Sequence, residues 1–362
     1  MVSAVNRLPS SPAAMASVVA VLLVAACTSA TGTDTAGSRF AADSSASSSP
    51  SSTASASTGG ATSSDSTSNG AAGSSPPSSS GSTTSSSTPA SPSSTAPAPP
   101  PAPQLPLGGR TLLPKYRVVA YYGVPHSPGL GVLGTTPPDE AAREIKRVAA
   151  GYAGYGRKVQ PAMEVVATVA QGSAGPDGLY SDAIPDADIA EYLKVAKANR
   201  MLLVLDVQPG RGEFLPQVRR LEKYLLDPWV GVALDPEWKI SPGELPGREI
   251  GHSRAESINA VSSYLSALVT EHHLPQKLFV VHQFTLAMLP DRQNITRHPQ
   301  LALVFHADGH GGVGVKQEVY GQLHFPRSAG AGFKLFYRED PRLMSPAEVM
   351  ALRRRPDLIT YQ

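Results

Sequence analysis

The chain of 362 residues contains only one cysteine, Cys27. A single cysteine excludes an intramolecular disulfide and a cysteine cage for a metal ion. Aromatic residues are also sparse, at 6%, and no run of basic residues is longer than Arg353-Arg354-Arg355. With a net charge of only +2, the chain lacks the concentrated basic surface that nucleic-acid binding requires, and nucleic acid is not an expected partner.

Several sequence motifs are also missing. No glycine-rich phosphate motif follows the first predicted strand, which argues against a nucleotide-binding fold. No G-x-S-x-G elbow supports a serine hydrolase. The apolar stretch at residues 13–26 is shorter than the roughly 20 residues that span a bilayer, so it predicts the core of a signal peptide, residues 1–26, and not a membrane helix.

The signal peptide ends in Val24-Ala25-Ala26-Cys27, which resembles the lipobox of bacterial lipoproteins. With this lipobox and its usage of Ala, Arg and Pro, the chain as a whole is similar to lipoproteins of high-GC Gram-positive bacteria. The resemblance implies that Cys27 is lipidated and becomes the new N-terminus, anchoring the protein on the outer face of the cell membrane. The alternative is an ordinary secretory signal in which Cys27 is incidental.

Residues 27–104 consist almost entirely of Ser, Thr, Ala, Gly and Pro. Such a segment buries too little apolar surface to offset the entropy of ordering it, so a disordered linker is predicted. A flexible tether of this length reaches on the order of 50 Å. Residues 105–362 then form one folded domain.

Short apolar strands alternate with helical patterns through this domain, which indicates parallel crossovers. Eight such strands in about 250 residues favour a (β/α)8 TIM-type barrel over an open sheet. The eighth strand ends at the last residues, so the final helix is expected to be missing. Strands are predicted at residues 118–122, 165–169, 202–207, 230–234, 278–282, 301–306, 333–337 and 358–361. Helices are predicted at residues 139–150, 188–198, 215–226, 253–272 and 345–353, with weaker candidates at 284–289 and 315–320.

Active sites of such barrels lie where the strands end. Polar residues crowd these positions, and the sharpest feature is Asp235-Pro236-Glu237-Trp238 after the fourth strand. Residues two apart in an extended chain share a face, so Asp235 and Glu237 can both face the mouth. Neighbouring carboxyls cannot both ionise easily, which leaves an acid beside a base. The alternative is that Asp235 only caps a turn or a following helix.

This motif resembles glycoside hydrolase barrels, particularly family 25 lysozymes and more loosely family 18 chitinases, whose Asp-x-Glu pair closes the fourth strand. The resemblance implies that Glu237 is the general acid and that Asp235 stabilises the substrate or the charged intermediate. The chain lacks the upstream aspartates of family 18 and the first-strand aspartate of family 25, for which Asp206 is a candidate substitute. The remaining predicted cleft residues bind substrate: Tyr122, Gln208, Trp238, His282, Gln283, His306 and Asp308.

The predicted function is a membrane-anchored glycoside hydrolase acting on cell-envelope or environmental glycans, as a monomer and without a cofactor. A carbohydrate-binding lipoprotein without turnover is the first alternative. A metal-assisted hydrolase is the second, because the run His306-x-Asp308-x-His310 contains side chains that bind divalent metals. The glycines that flank this run argue against convergence of its side chains on one ion.

Overall fold

The computed structural model describes residues 101–362, which fold into a closed barrel of eight parallel strands. The barrel order is β1-β2-β4-β5-β6-β7-β8-β9, and pairing of β9 with β1 closes it. A short strand, β3, pairs antiparallel with the end of β2 outside the ring. The strands are β1 (Tyr116–Gly123), β2 (Lys158–Ala170), β3 (Ser181–Ala183), β4 (Leu202–Val207), β5 (Val230–Leu234), β6 (Lys277–His282), β7 (Leu301–Ala307), β8 (Gly330–Leu335) and β9 (Leu358–Tyr361).

Helices occupy most of the connections between barrel strands and pack their apolar faces on the outer barrel wall. They are α1 (Pro138–Ala150), α2 (Asp186–Ala198), α3 (Phe214–Arg220), α4 (Glu222–Leu225), α5 (Ala255–Glu271), α6 (Val313–Gln322) and α7 (Pro346–Met350). The helix expected at residues 215–226 is interrupted at Leu221, and the candidate at 284–289 is only a 3₁₀ turn, Leu286–Met288. Strand β9 is followed only by Gln362 in the described chain.

Inside the barrel, strand alternation separates an apolar floor from a polar mouth. Along β1, Val118 and Ala120 belong to the apolar interior cluster, and the next inward residue is Tyr122. Three other strands repeat this order of two apolar residues and then a polar one: Leu202, Val204 and Asp206; Leu278, Val280 and His282; Ala302, Val304 and His306. The polar members all lie at the carboxyl ends of their strands.

The segment before β1 closes the opposite end of the barrel. Leu105 and Leu112 are buried against the interior residues of the floor. The side-chain oxygen of Gln276 accepts hydrogen bonds from the backbone N–H groups of Leu112 (2.9 Å) and Leu113 (3.0 Å), and Arg200 donates to the carbonyl of Pro106. The segment therefore seals the floor of the barrel.

The TIM-type barrel predicted from the sequence is confirmed. The predicted signal peptide, Cys27 and all but the last four residues of the predicted linker lie outside the described residues. Within residues 101–362, no helix is both long enough and apolar enough to cross a membrane.

Candidate active site

The polar mouth of the barrel is built around His282, at the end of β6. Its Nε2 lies 3.0 Å from Oε1 of Glu164, and its Nδ1 lies 3.0 Å from Oδ2 of Asp308. All three side chains are almost completely buried. Because each ring nitrogen faces a carboxyl oxygen, both carry a proton, and the ring is an imidazolium. Burial alone would lower the pKa of His282, but the hydrogen bonds to Asp308 and Glu164 outweigh it and raise that pKa well above its ordinary value.

His306 lies beside His282, and its ring is neutral where that of His282 is charged. Its Nδ1 is 3.1 Å from Nδ1 of His282, and its Nε2 is 3.1 Å from Oγ1 of Thr360. The one Nδ1 proton of His282 is shared between Oδ2 of Asp308 and Nδ1 of His306, both of which accept it. The proton of His306 is then on Nε2, which donates to Thr360. Burial and the nearby positive charge of His282 lower the pKa of His306 well below its ordinary value, which keeps the ring neutral.

Close packing of His306 requires the glycine opposite it. Strand pairing places His306 next to Gly332 of β8. A Cβ atom at Gly332 would lie 2.3 Å from Cδ2 of His306 and 3.0 Å from its Cα. Only glycine leaves room for the ring at this position.

A second set of contacts surrounds Asp206 at the end of β4. The Tyr122 hydroxyl donates to Oδ2 of Asp206 at 3.0 Å, and the Gln208 amide donates to the Tyr122 oxygen at 3.4 Å. The ammonium group of Lys334 lies 3.4 Å from the centre of the Tyr122 ring, a cation–π contact. Burial raises the pKa of Asp206 to about 6, although the nearby positive charge of His282 opposes the shift.

Asp235 and Glu237 enter the mouth from the 3₁₀ turn Pro236–Trp238, which follows β5. Oδ1 of Asp235 accepts the backbone N–H of Glu237 at 3.3 Å, so the capping role expected as an alternative for Asp235 is present. Asp235 is buried, whereas Glu237 is partly exposed. One carboxyl oxygen each from Asp235, Glu237 and Asp308 can be chosen so that all three lie within 4.8 Å of one another.

The three carboxyl groups differ in their affinity for a proton. Burial, reinforced by the neighbouring Asp308, raises the pKa of Glu237 to about 7. Burial also raises the pKa of Asp235 well above its ordinary range. Burial would do the same to Asp308, but its hydrogen bond to the His282 imidazolium lowers that pKa instead. The mouth therefore holds a partly exposed carboxylic acid beside a carboxylate, the combination that acid–base cleavage needs.

No family model, curated protein or solved structure matches this chain. The likeness to glycoside hydrolases consequently depends on the residues of the barrel mouth alone. The function has to be inferred from the positions and charges of those residues.

Most of the predicted site residues converge at the mouth, but two do not join the central cluster. The amide of Gln283 donates to the Thr285 carbonyl and accepts from Arg292, so its polar atoms are used within a loop. Trp238 ends the 3₁₀ turn and is partly exposed. Of the run His306-x-Asp308-x-His310, the first two side chains point inward and His310 is exposed. The convergent residues are Tyr122, Asp206, Gln208, Asp235, Glu237, His282, His306 and Asp308.

Three residues of the mouth are missing from the sequence prediction: Glu164, Lys334 and Thr360. Each is a buried polar residue flanked by apolar residues of its strand and has the inward parity of that strand. That pattern is the signal that could have identified them. Strand β2 begins seven residues earlier than predicted, at Lys158, so the prediction left Glu164 outside its strand. Strand β8 ends two residues earlier than predicted, at Leu335.

A cavity of about 660 Å³ lies between β1, helix α1 and the residues that follow β8, and no residue of the carboxyl cluster lines it. Its wall includes Tyr121, which faces away from the barrel interior, and Tyr337, whose exposed fraction is 43%. The rings of these two tyrosines meet edge to face with centroids 6.4 Å apart. Arg147 and Glu339 add charge to the same wall. The cavity thus combines aromatic faces with polar groups.

Proposed function

We propose that this protein is a glycoside hydrolase that cleaves cell-envelope or environmental glycans with Glu237 as general acid. The observation that carries the proposal is the pairing of Glu237, whose pKa is about 7, with the ionised Asp308 at the barrel mouth. A glycosidase needs one carboxylic acid to protonate the leaving oxygen and one carboxylate to support the positive charge at the anomeric carbon. Glu237 is the more exposed of the two and so the one that a leaving group reaches.

The location of the activity is part of the same proposal. Lipidation of Cys27 would hold the barrel outside the cell membrane, with residues 27–104 as the tether. This rests on the lipobox resemblance alone, and lipid attachment is measurable by mass spectrometry of the mature N-terminal peptide. A mature chain that begins elsewhere and carries no acyl groups would contradict it.

The experiment that tests the activity measures release of reducing ends from a panel of purified cell-wall and storage glycans by the full chain. The wild type is compared with Glu237→Gln and with a matched control, Glu191→Gln, which alters an exposed glutamate on the outer helix α2. We expect Glu237→Gln to abolish release and Glu191→Gln to retain it. Full release by Glu237→Gln would refute the assignment of the acid.

Glycan binding without cleavage is a second candidate, favoured by the cavity lined by Tyr121 and Tyr337. Aromatic faces beside charged groups suit stacking of sugar rings and hydrogen bonding of hydroxyl groups. Calorimetry would support this function if a glycan bound and was recovered uncut. Loss of that binding in Tyr337→Ala, with the barrel mouth unchanged, would locate it in the cavity.

Metal-assisted hydrolysis has one supporting observation, the three carboxyl oxygens of Asp235, Glu237 and Asp308 within 4.8 Å. Oxygen ligands of this kind suit Mg²⁺, Ca²⁺ or Mn²⁺. Elemental analysis of the purified full chain would favour it on finding one such ion per chain. Full glycan release by a metal-free preparation would refute it.

A further inference from the structure

Asp308 and Asp235, the two carboxyl groups beside Glu237, differ in how their oxygens are used. Its Oδ2 is bonded to His282 at 3.0 Å, while Oδ1 is buried and has no hydrogen-bond partner within residues 101–362. Asp235 instead uses an oxygen to cap the turn that carries Glu237. Asp308 is therefore held by His282 through one oxygen, while its other oxygen makes no hydrogen bond within the described residues.

The side chain of His282 cannot turn away from Asp308 without losing its other contacts. Its far nitrogen is 3.0 Å from Glu164, and its ring meets His306 at a centroid distance of 4.9 Å. His306 is fixed in turn by Thr360 and by the backbone of β8 at Gly332. The chain of contacts from Glu164 through His282 therefore holds Asp308 in position and supplies it with a fixed positive charge.

We propose that Asp308, positioned by His282, is the nucleophile of the glycosidase and that Asp235 is not. The inference rests on the proposed function and assigns the second carboxylate of that site. In the first step Oδ1 of Asp308 bonds to the anomeric carbon, the glycosidic C–O bond breaks, and Glu237 gives its proton to the departing oxygen. In the second step a water oxygen attacks the anomeric carbon, the ester bond to Asp308 breaks, and the Glu237 carboxylate takes the proton of the water.

The spacing of the carboxyl groups agrees with this mechanism. Oxygens of Glu237 and Asp308 lie within 4.8 Å of each other. Retaining enzymes hold their two carboxyl groups about 5 to 5.5 Å apart, whereas inverting enzymes need about 6.5 to 9.5 Å to admit a water between them. Oxygens this close leave little room for a water between them, so we expect the product to retain the configuration of the anomeric carbon.

His282 and Glu164 act through Asp308 as positioning residues. An imidazolium against Oδ2 stabilises Asp308 as a carboxylate, which makes it a good leaving group when the glycosyl ester is hydrolysed. Glu164→Gln removes the carboxyl that holds the far side of the ring without emptying the space. We expect it to lower kcat more than tenfold with little change in KM, because substrate contacts are intact.

The deciding experiment compares Asp308→Asn with Asp235→Asn in the full chain, on the glycan that the wild type cleaves and on an aryl glycoside of its terminal sugar. We expect Asp308→Asn to lose at least a thousandfold in kcat/KM and to regain aryl glycoside cleavage with sodium azide, forming the glycosyl azide of inverted configuration. Asp235→Asn is not rescued by azide. Proton NMR of fresh wild-type product should show the retained anomer first.

The outcomes separate this inference from the proposed function. If the wild type cleaves a glycan but azide rescues Asp235→Asn, or the product is inverted, the role of Asp308 is overturned. The proposed glycosidase activity is then unaffected. A wild type that cleaves no glycan would overturn both. Nitrogen-15 NMR of the imidazole side chains at pH 7 tests the positioning independently of activity, since two N–H protons on His282 are expected and a single one would contradict the arrangement.

Discussion

The imidazolium of His282 lets several carboxyl groups share a small buried volume. Removing one member of a buried ion pair costs about 3–5 kcal/mol because the partner charge is left uncompensated. His282→Gln leaves Glu164 and Asp308 facing a neutral amide, so we expect a loss of that size in the free energy of unfolding at pH 6. Urea denaturation followed by circular dichroism measures it, and a loss below 1 kcal/mol would contradict the charge assignment.

The pH dependence of this loss has a definite sign. The pKa of His282 is higher in the folded chain than its ordinary value of about 6.5. Its stabilising contribution is therefore complete below pH of about 6.5 and disappears as the pH rises through the folded-state pKa. The difference between wild type and His282→Gln in free energy of unfolding should narrow at alkaline pH, as His282 loses its proton. It should also narrow at strongly acidic pH, as Asp308, whose pKa is lowered by His282, takes up a proton.

Gly332 is needed because of space and not because of its backbone angles. In Gly332→Ala the added Cβ would lie 2.3 Å from the His306 ring, so the ring or the strand must move. Overpacking of this kind costs about 1–3 kcal/mol in the free energy of unfolding. We therefore expect Gly332→Ala to have a lower Tm in thermal denaturation. The control is Gly321→Ala in helix α6, where a Cβ meets nothing within 4 Å and stability should be unchanged or higher. Equal stability of the two variants would contradict the steric argument.

For the strands and helices, the sequence predicted which elements occur better than it predicted where each one begins and ends. All eight barrel strands occur, because continuous apolar runs between helical patterns indicate buried parallel strands. The observed strand ends differ from the predicted ones where a polar residue interrupts the apolar run, as at Glu164 in β2. The short strand β3 has no apolar pattern and forms only because β2 extends far enough to pair with it.

The segment that seals the barrel floor acts as a structural element although it is neither helix nor strand. Leu112 has an exposed fraction of 0% and packs against the floor residues. Truncating a fully buried leucine costs about 2–5 kcal/mol, so Leu112→Ala should lower the urea midpoint strongly. Leu226→Ala, at a leucine with an exposed fraction of 37%, is the control and should cost less than about 1 kcal/mol. A similar midpoint for both variants would show that the segment does not hold the floor.

Closure of the barrel brings the acid and the carboxylate together, and the whole molecule should show this in its pH–activity profile. The proposed general acid, Glu237, must be protonated to act, and burial raises its pKa to about 7, so kcat/KM should fall about tenfold per pH unit above that value. The lowered pKa of Asp308 predicts no corresponding loss at pH 5 from this group. Measurement of kcat/KM on the cleaved glycan from pH 4 to 9 checks both the fall above pH 7 and the absence of a loss at pH 5. A rate independent of pH between 6 and 9 would contradict the role of Glu237.

The sequence by itself determined the fold class and many of the residues at the mouth. Strand periodicity is local, and the ends of parallel strands must share one face of a barrel, so the sequence alone assigns Asp206, Asp235, Glu237 and His306 to that face. The same reasoning would identify Glu164 if the start of β2 were placed correctly. Lys334 and Thr360 lie within the predicted strands, and their inward parity alone would identify them.

Only the tertiary structure decided how these groups divide their charges. The protonation of His282 depends on Glu164 and Asp308, which lie 118 and 26 residues away along the chain and meet it only when the barrel closes. The sequence predicts that Asp308 binds substrate, but its hydrogen bond to His282, which lowers its pKa, is evident only in the folded chain. A pKa depends on burial and neighbouring charge, and both are properties of the folded chain.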